Sequence, residues 1–379
     1  MTIQTIALPA EPDGAIASDA AAENPVGANA GVGYQEVSMN RRSLLQLSGL
    51  MGLGTLASCM TPPDSLLVQT NGTEALPEPL IMQLDWVFNV QFAGLLLADH
   101  LGLYRQHGLN VVIQDWESQQ VITEVVAATP RMIGCAEQNL ILDAQAKGMP
   151  LKAIAAMFQA SPYGLMSLPD RGITTLGDLQ GERVGVHVDG LKVMELVQGI
   201  SGITEIEVVE IPYQNKLDRL LSGEFAALQC YAVDEPIGFL RQVGELPTVL
   251  PMDEYGYIAY AQVLFTTDEL LEQQSESLRD FLSASFAGWT IALNDVFNTA
   301  QTVVQEYVDP TSSYFDLEYQ LQSLELVKAY VLRNISESQI GTISPDRWQE
   351  AAMRMAGYNI IESLPDLESS IDLSLWSGT

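Results

Sequence analysis

Strand-length apolar runs that alternate with helical periodicities are the feature that most constrains the fold of this chain. At the start of the alternation, residues 81–84 form a short apolar run and residues 110–115 form a second one rich in Val and Ile. Between them, apolar side chains recur at helical spacing over residues 92–103, and Gly102 and Gly108 are helix stop signals. The order strand, helix, strand predicts a βαβ unit with parallel strands.

The alternation continues in two runs, which predicts the α/β class with two lobes. Further strands are predicted at 131–136, 151–157, 183–187, 207–211 and 227–231, and helices at 121–126 (capped by Ser118), 139–147, 191–198, 216–221 and 236–242. Residues 163–168 leave the first sheet and 257–265 lead back, so two crossing strands should join the lobes around a hinged cleft. Every later element is predicted to be a helix, at 277–293, 299–307, 317–332 and 345–355.

These patterns predict the domain boundaries. Residues 1–59 are the expected signal region and residues 60–79, which are rich in Pro, Asn and Gly, are the expected tether. Residues 80–166 and 259–379 should form the first lobe, and residues 167–258 the second.

The signal region has three parts in register. Paired arginines, Arg41 and Arg42, precede an apolar run of small residues that ends in Leu-Ala-Ser and Cys59. This order is typical of a lipoprotein cleavage box, with Met39 as the expected start and Cys59 as the lipidation site. The protein is therefore expected in the periplasm or on the cell surface, anchored to a membrane through Cys59. The paired arginines fit either ordinary secretion or twin-arginine export.

Candidate ligand-binding residues follow the strand ends, where helix N–H groups and strand termini form a crevice. They are Asp85, Trp86, Asn89, Phe92, Glu137, Gln138, Tyr163, Asp189, Tyr231, Glu235 and Tyr257. For several of them a structural role stays open. Trp86 also fits a core position, Asp85 a helix cap, and Glu235 an acid that offsets a helix dipole.

Charge restricts the class of ligand. The formal net charge is −31, and residues 1–59 contain only five of the acids and two of the basic residues, so the acidity belongs to the body of the chain. Such a surface repels nucleic acid. The candidate set is aromatic and acidic, with Lys192 as the nearest basic residue, which disfavours nitrate, sulfonate and bicarbonate. It favours a flat heterocycle that stacks on aromatic faces and donates to carboxylates, and it is compatible with a cation.

Other chemistry has little support in the sequence. The three histidines and three cysteines lack metal-ligand spacing, so no metal site is expected. Cys135 and Cys230 fall in different predicted lobes and are expected to be buried free thiols. Neither a Ser-His-Asp set nor a glycine-rich phosphate loop is present.

Residues 84–116 contain the pattern LDW-x-x-N…AG-x-x-x-A…G-x-Y…GL-x-V. It resembles the start of the ABC-importer solute-binding proteins for thiamine pyrimidine precursors. Their wider family includes nitrate, sulfonate and bicarbonate binders and the eukaryotic suicide enzymes that make the thiamine pyrimidine. Residues 161–186 and 260–289 resemble the two crossings of this family, and the resemblance extends over 79–376. It implies a type II periplasmic-binding-protein fold, a thiamine-related aminopyrimidine or another heterocycle such as a flavin precursor as ligand, and an ABC permease as partner.

The same resemblance argues against a pyrimidine synthase. The pyrimidine synthases use a lysine that holds pyridoxal phosphate and a histidine four residues later; the matching residues here are Ala136 and Leu140. Their cysteine-rich motif corresponds to residues 256–261, which lack cysteine. Many relatives also carry a histidine at the position of Phe92. We therefore expect a binding protein without a catalytic residue or cofactor, and retain an enzyme or a signalling ectodomain as the alternative.

Overall fold

The first sheet is built from the first four strands of the chain and one returning strand. Its order is β2-β1-β3-β10-β4, with β1 parallel to β2 and β3, and β10 antiparallel to both of its neighbours. The strands are β1 Leu80–Gln83, β2 Val111–Gln114, β3 Met132–Ala136, β4 Leu151–Phe158 and β10 Ala261–Thr267. The central strand β3 is buried along its whole length, which explains its continuous apolar sequence.

The structure is a computed structural model that describes residues 77–117 and 120–378, all within one compact unit. The predictions for the signal region, Met39, the lipidation site Cys59, most of the tether and the Ser118 cap lie outside the described residues. None of the helices described is both long and apolar enough to cross a bilayer.

The second sheet repeats the arrangement of the first. Its order is β7-β6-β8-β5-β9, with β6 parallel to β7 and β8, and β5 antiparallel to β8 and β9. The strands are β5 Tyr163–Ser167, β6 Arg183–Val186, β7 Glu207–Glu210, β8 Ala227–Tyr231 and β9 Thr248–Pro251. The short edge strand β9 was not predicted, because it ends in a proline and shows little alternation.

The connections between the sheets lie earlier in the chain than predicted. Strand β5 pairs along its length within the second sheet, so the chain crosses in residues 159–162 rather than in 163–168. The return runs through residues 252–260, before β10 begins. Alternating hydrophobicity identifies β5 as a strand, but it cannot indicate which sheet supplies its partners.

Helices cover both sheets, and the C-terminal part is helical as predicted. They are α1 Ala93–His100, α2 Leu103–Gln106, α3 Ile122–Ala128, α4 Gln138–Ala146, α5 Leu191–Ser201, α6 Lys216–Leu221, α7 Glu235–Val243, α8 Asp268–Asn294, α9 Val296–Glu306, α10 Leu317–Val331 and α11 Pro345–Gly357. Helix α3 has Val121 in its N-cap position. Ser344 caps the last helix by accepting from the Arg347 N–H, as predicted. The fold class, two α/β lobes with a helical C-terminal part, is confirmed.

Two glycines let the C-terminal part pack onto the first lobe. A Cβ at Gly94 of α1 would lie 2.1 Å from Cγ of Trp289, and one at Gly288 of α8 would lie 2.2 Å from the Gly94 carbonyl oxygen. The helices therefore approach closely, and the Trp289 side chain is fully buried between them. This contact fixes the helix that follows the opening loop and so positions the edge of the cleft.

Candidate functional site

A cavity of about 320 Å³ lies between the two lobes and takes its walls from both. Asp85 and Trp86 follow β1, and Glu137 follows β3 in the first lobe. Asp189 follows β6 in the second lobe, and Tyr231 ends β8. The cavity therefore sits at the carboxyl ends of the parallel strands, where the βαβ architecture favours ligands.

One wall of the cavity is aromatic. The rings of Trp86 and Trp116 are stacked, with centroids 5.2 Å apart and planes 19° apart. Tyr213 of the second lobe lies 5.3 Å from Trp86 and 5.4 Å from Trp116, and its other side stacks on His187 at 4.1 Å. Such a cluster offers large flat faces to a planar ligand and brings one of them from each lobe.

Glu137 is the carboxyl group that links the lobes directly. Its two oxygens accept from the Tyr231 hydroxyl at 2.8 Å and the Tyr257 hydroxyl at 3.1 Å. Burial raises the pKa of Glu137 to about 8, against the effect of these hydrogen bonds. A group with that pKa exchanges a proton near neutrality and can accept from a ligand or donate to it.

Asp234 joins the second lobe to the C-terminal part of the first. It accepts from the Tyr314 hydroxyl at 2.6 Å and the Tyr319 hydroxyl at 2.5 Å. The Tyr314 oxygen accepts in turn from the indole N–H of Trp86 at 3.0 Å. Burial, and then the negative charge of Glu235, raise the pKa of Asp234 to about 7. Tyr319 lies on α10, and its hydroxyl belongs to this cluster.

Lys147 lines the cavity and pairs with Asp143 at 2.6 Å, Lys216 contacts the lining residues His187 and Glu235, and Lys192 lies elsewhere. The Lys216 ammonium group is buried, pairs with Glu235, and donates to Nε2 of His187 at 3.2 Å. Nδ1 of His187 lies 3.1 Å from the Ile211 carbonyl oxygen, so a proton on Nδ1 and a free Nε2 satisfy both contacts. Burial, and then the charge of Lys216, lower the pKa of His187. Lys192 instead donates to the carbonyl of Ile360, away from the cavity.

Asp85 lies beside the aromatic wall and accepts only weak hydrogen bonds. The Cys135 thiol lies 3.2 Å from its Oδ1, and the Gln262 side-chain amide lies 3.4 Å from its Oδ2. Burial raises the pKa of Asp85 to about 6. Gln262 has a φ of +50° within β10, a conformation that a non-glycine residue rarely adopts. Backbone strain of this kind is typical of binding sites, where the surrounding structure holds a side chain in a fixed orientation.

Six of the residues that the sequence selected line the cavity: Asp85, Trp86, Glu137, Asp189, Tyr231 and Glu235. The other five lie behind its wall. Asn89 caps the 3₁₀ turn Val90–Phe92 by accepting from the Gln91 N–H at 2.6 Å, and Phe92 is fully buried in the core of the first lobe.

The remaining three support neighbours of the cavity. Gln138 accepts from the Tyr260 N–H, and Tyr257 orients Glu137. The buried Tyr163 hydroxyl approaches Gly190, where a Cβ would lie 2.1 Å from it. Side chains at a strand end alternate between the two faces, so proximity in sequence does not ensure that a residue reaches the cavity.

Several lining residues were missed by the sequence reasoning. Trp116, Tyr213, Gln229 and Gln262 contribute to the wall. Trp116 and Tyr213 follow β2 and β7, so the strand-end rule, applied to every strand, would have found them. Gln229 and Gln262 lie within strands and carry no such signal.

Metal and cofactor chemistry has little support in the described part of the chain. No group of three His, Cys, Asp or Glu side chains there is arranged to hold a metal ion. Cys135 and Cys230 are buried free thiols on strands of different sheets, as predicted. Ala136 and Leu140, which match the lysine and histidine of the synthases, do line the cavity. Neither side chain can form a Schiff base or move a proton, so these positions do not fit pyridoxal phosphate chemistry.

Known proteins share this architecture. The 4-amino-5-hydroxymethyl-2-methylpyrimidine phosphate synthase of Legionella pneumophila is 26% identical over 225 residues, which cover 56% of this chain and 69% of that protein. The riboflavin-binding protein RibY of Chloroflexus aurantiacus is 22% identical over 286 residues, or 72% of this chain and 79% of that protein.

Solved structures agree on the fold. The alkanesulfonate-binding protein SsuA from Xanthomonas axonopodis pv. citri superimposes with a TM-score of 0.61 at 13% identity, over 79% of this chain and 100% of that one. The likeness confirms the expected periplasmic-binding-protein fold. A family model described as NMT1/THI5 like matches residues 89–296, more than half of the chain, which confirms the family that the sequence indicated. This chain belongs to the NMT1/THI5-like family.

Proposed function

We propose that this protein captures a small nitrogen heterocycle outside the cytoplasm, as the solute-binding lipoprotein of an ABC importer, and that the ligand is an aminopyrimidine precursor of thiamine. The observation that carries the proposal is the composition of the interlobe cavity. Its walls combine Trp86, Trp116 and Tyr213 with carboxyl groups. The two ammonium groups there are already paired, Lys147 on the wall with Asp143 and Lys216 beside it with Glu235. Aromatic faces suit a flat ring, and carboxyl oxygens suit its amino groups.

The same composition argues against an oxyanion as ligand. Nitrate, bicarbonate and sulfonate need arginine, lysine or several free N–H groups, whereas here both lysines are paired with carboxylates and the wall also carries Asp85, Glu137 and Asp189. The sulfonate binder with the same fold therefore supports the architecture of the protein and not its ligand.

A flavin precursor is the second candidate. The Chloroflexus riboflavin-binding protein matches 72% of this chain, and a flavin ring also stacks on tryptophan. A cavity of about 320 Å³ lies at the small end of the range for ligand pockets, which favours the smaller pyrimidine.

An enzyme is the alternative from another class, since a pyrimidine synthase is among the relatives. Ala136 and Leu140 on the cavity wall support binding without turnover. Incubation of the protein with pyridoxal phosphate and iron, followed by mass spectrometry, should give neither a pyrimidine product nor a modified side chain. A pyrimidine product would establish the enzyme.

Ligand identity is tested by native mass spectrometry of the purified protein and by thermal shift. A ligand at 100 times its dissociation constant adds about 2.7 kcal/mol of stability, which shifts the melting temperature by several degrees. We expect this shift with aminopyrimidines and none with nitrate, bicarbonate or alkanesulfonates. A larger shift with riboflavin or a flavin precursor would favour the second candidate, and a shift with an oxyanion would reject the ligand class.

The lipid anchor is tested separately through Cys59. Replacement Cys59→Ser should release the protein from the membrane fraction and remove the mass of the acyl chains. Two acyl chains are needed for stable anchoring, so the release should be complete. An acylated or membrane-bound Cys59→Ser protein would show that another residue carries the anchor.

A further inference from the structure

The central carboxyl groups of the cavity differ in how well their charge is compensated. Glu137 and Asp234 each accept from two tyrosine hydroxyls at 3.1 Å or less. Glu235 pairs with the Lys216 ammonium group and accepts from the Tyr231 N–H at 2.5 Å. The oxygens of these three groups are therefore already occupied by hydroxyl, ammonium or backbone N–H donors of the protein itself.

Asp85 has no comparable partner. Its contacts are a thiol at 3.2 Å, which is a weak donor, and a side-chain amide at 3.4 Å. The thiol hydrogen is also shared with Oε1 of Gln262, at 2.9 Å from Sγ. Asp85 is thus held in position by Cys135 and Gln262, while its negative charge receives little stabilisation from either.

The titratable groups around Asp85 do not supply the missing positive charge. They are, from the elements packed against it, Cys135, Glu137, Asp189, Tyr213 and Tyr231. All of these are neutral or acidic, so within the described residues an ionised Asp85 faces either neutral groups or like charge.

The aromatic wall stands beside this carboxyl group. Trp86 is its neighbour in the chain, and Trp116 and Tyr213 complete the cluster within 5.4 Å. Indole and phenol faces attract cations through their quadrupoles, most strongly where water is displaced.

We infer that the heterocycle is bound as a cation, protonated or alkylated on a ring nitrogen, with Asp85 as its counter-ion and the tryptophan and tyrosine faces around its ring. The inference rests on the proposed function and specifies the charge state of the ligand. Aminopyrimidines accept a proton on a ring nitrogen, so the proposed ligand class supplies this cation without a change of shape. A protonated ring donates its N–H to Asp85, whereas an alkylated ring keeps the attraction between the charges without that hydrogen bond; no covalent step is required.

The test uses a matched pair of ligands with the wild-type protein. An aminopyrimidine and its ring-N-methylated quaternary salt differ in charge but little in shape. Calorimetry at pH 8, where the parent compound is neutral, should give a higher affinity for the quaternary salt. Because burial raises the pKa of Asp85 to about 6, affinity for the permanent cation should also increase as the pH rises through that value.

The variant Asp85→Asn keeps the shape and removes the charge. It should weaken binding of the quaternary salt by roughly thirtyfold or more, the effect of losing one partner of a desolvated charge pair. Affinity for the neutral parent compound should stay close to the wild-type value. Asp170→Asn, at an exposed position far in sequence from the site, makes the same change in net charge and should alter neither affinity.

The results separate this inference from the proposed function. If the neutral aminopyrimidine binds as well as the quaternary salt, and Asp85→Asn weakens both equally, the ligand class stands and the charge inference is wrong. If neither compound binds while an unrelated heterocycle does, the aminopyrimidine proposal fails. The comparison of the two compounds on the wild-type protein tests the inference even if Asp85→Asn does not fold.

Discussion

Trp86 shows how one side chain serves both recognition and structure. Its ring stacks on Trp116, while its N–H donates to the Tyr314 hydroxyl. A ligand that stacks on this indole therefore lies against a residue whose position also depends on the contact between the lobes.

Replacement Trp86→Ala should weaken ligand binding by roughly 1–3 kcal/mol, the range for loss of one stacked heterocycle. In the wild-type protein, the fluorescence of this indole should be quenched when ligand binds, and titration measures both effects. Trp376→Phe is the control, since Trp376 packs on Phe286 in the first lobe and donates to the Ile340 carbonyl. Undiminished affinity in Trp86→Ala would place the ligand elsewhere in the cleft.

Among single residues, the sequence identifies those that directly follow strands. It misses those that long-range packing brings to the cavity. Asp85, Glu137 and Asp189 were found because the strand-end rule is local. Tyr314 lies 228 residues after Trp86, and only the return of the C-terminal part to the cleft brings them together. Tyr314 lies in the turn before α10, and no local sequence pattern can show that its hydroxyl reaches another lobe.

Among the elements, the contact between the start of α7 and the C-terminal helices is the main link across the cleft. Asp234 accepts from Tyr314 and Tyr319, and Ser323 donates to the Val233 carbonyl at 2.6 Å. Arg241 of α7 adds an ion pair to Asp316 at 2.8 Å, on the surface of the same interface. These groups contact each other only while the lobes are close, so they stabilise the closed arrangement.

Tyr314→Phe tests this link, because it removes one hydroxyl and keeps the ring. Asp234 loses a charge-assisted hydrogen bond and the Trp86 N–H loses its acceptor, which should cost about 1–3 kcal/mol of closure free energy. Small-angle scattering should show a smaller decrease in the radius of gyration on ligand binding, about pivots at 159–162 and 252–260. Tyr358→Phe, at an exposed ring, is the matched control. Equal compaction in both variants would show that closure does not depend on this contact.

Element prediction succeeded where periodicity is strong and failed at the sheet edges. The parallel strands and C-terminal helices follow from apolar spacing. Strand β9 and the sheet membership of β5 do not, since an edge strand with a terminal proline has a weak pattern and strand partners are not encoded locally.

For the whole molecule, buried carboxyl groups couple stability to pH. Burial raises the pKa of Asp85 from 3.8 to about 6, of Asp234 from 3.8 to about 7, and of Glu137 from 4.5 to about 8. The folded state therefore holds more protons than the unfolded state between those limits, and its stability decreases as the pH rises.

Unfolding at a series of pH values should show this coupling. The melting temperature should be highest in weak acid and fall as the pH increases from 5 towards 9, with a loss on the order of a few kcal/mol. Glu137→Gln keeps the shape of the side chain and one acceptor oxygen and cannot ionise, so the decrease above pH 7 should become shallower. A stability maximum at pH 8 or above would contradict the burial of these groups.

The strand order also has a consequence for how the chain is made. The second sheet takes all its strands from one continuous segment, 163–251, whereas β4 in the first sheet has β10 as its neighbour, which comes later in the chain. During synthesis the second lobe is therefore complete while β3 and β4 still expose unpaired edges on either side of the place of β10. Exposed strand edges of this kind pair with other strands. We therefore expect a chaperone that protects the nascent chain to bind at β3 and β4. Refolding starts from the complete chain, but β3 must pair with the distant β10, so pulse-labelled hydrogen exchange should record protection of β8 before protection of β3.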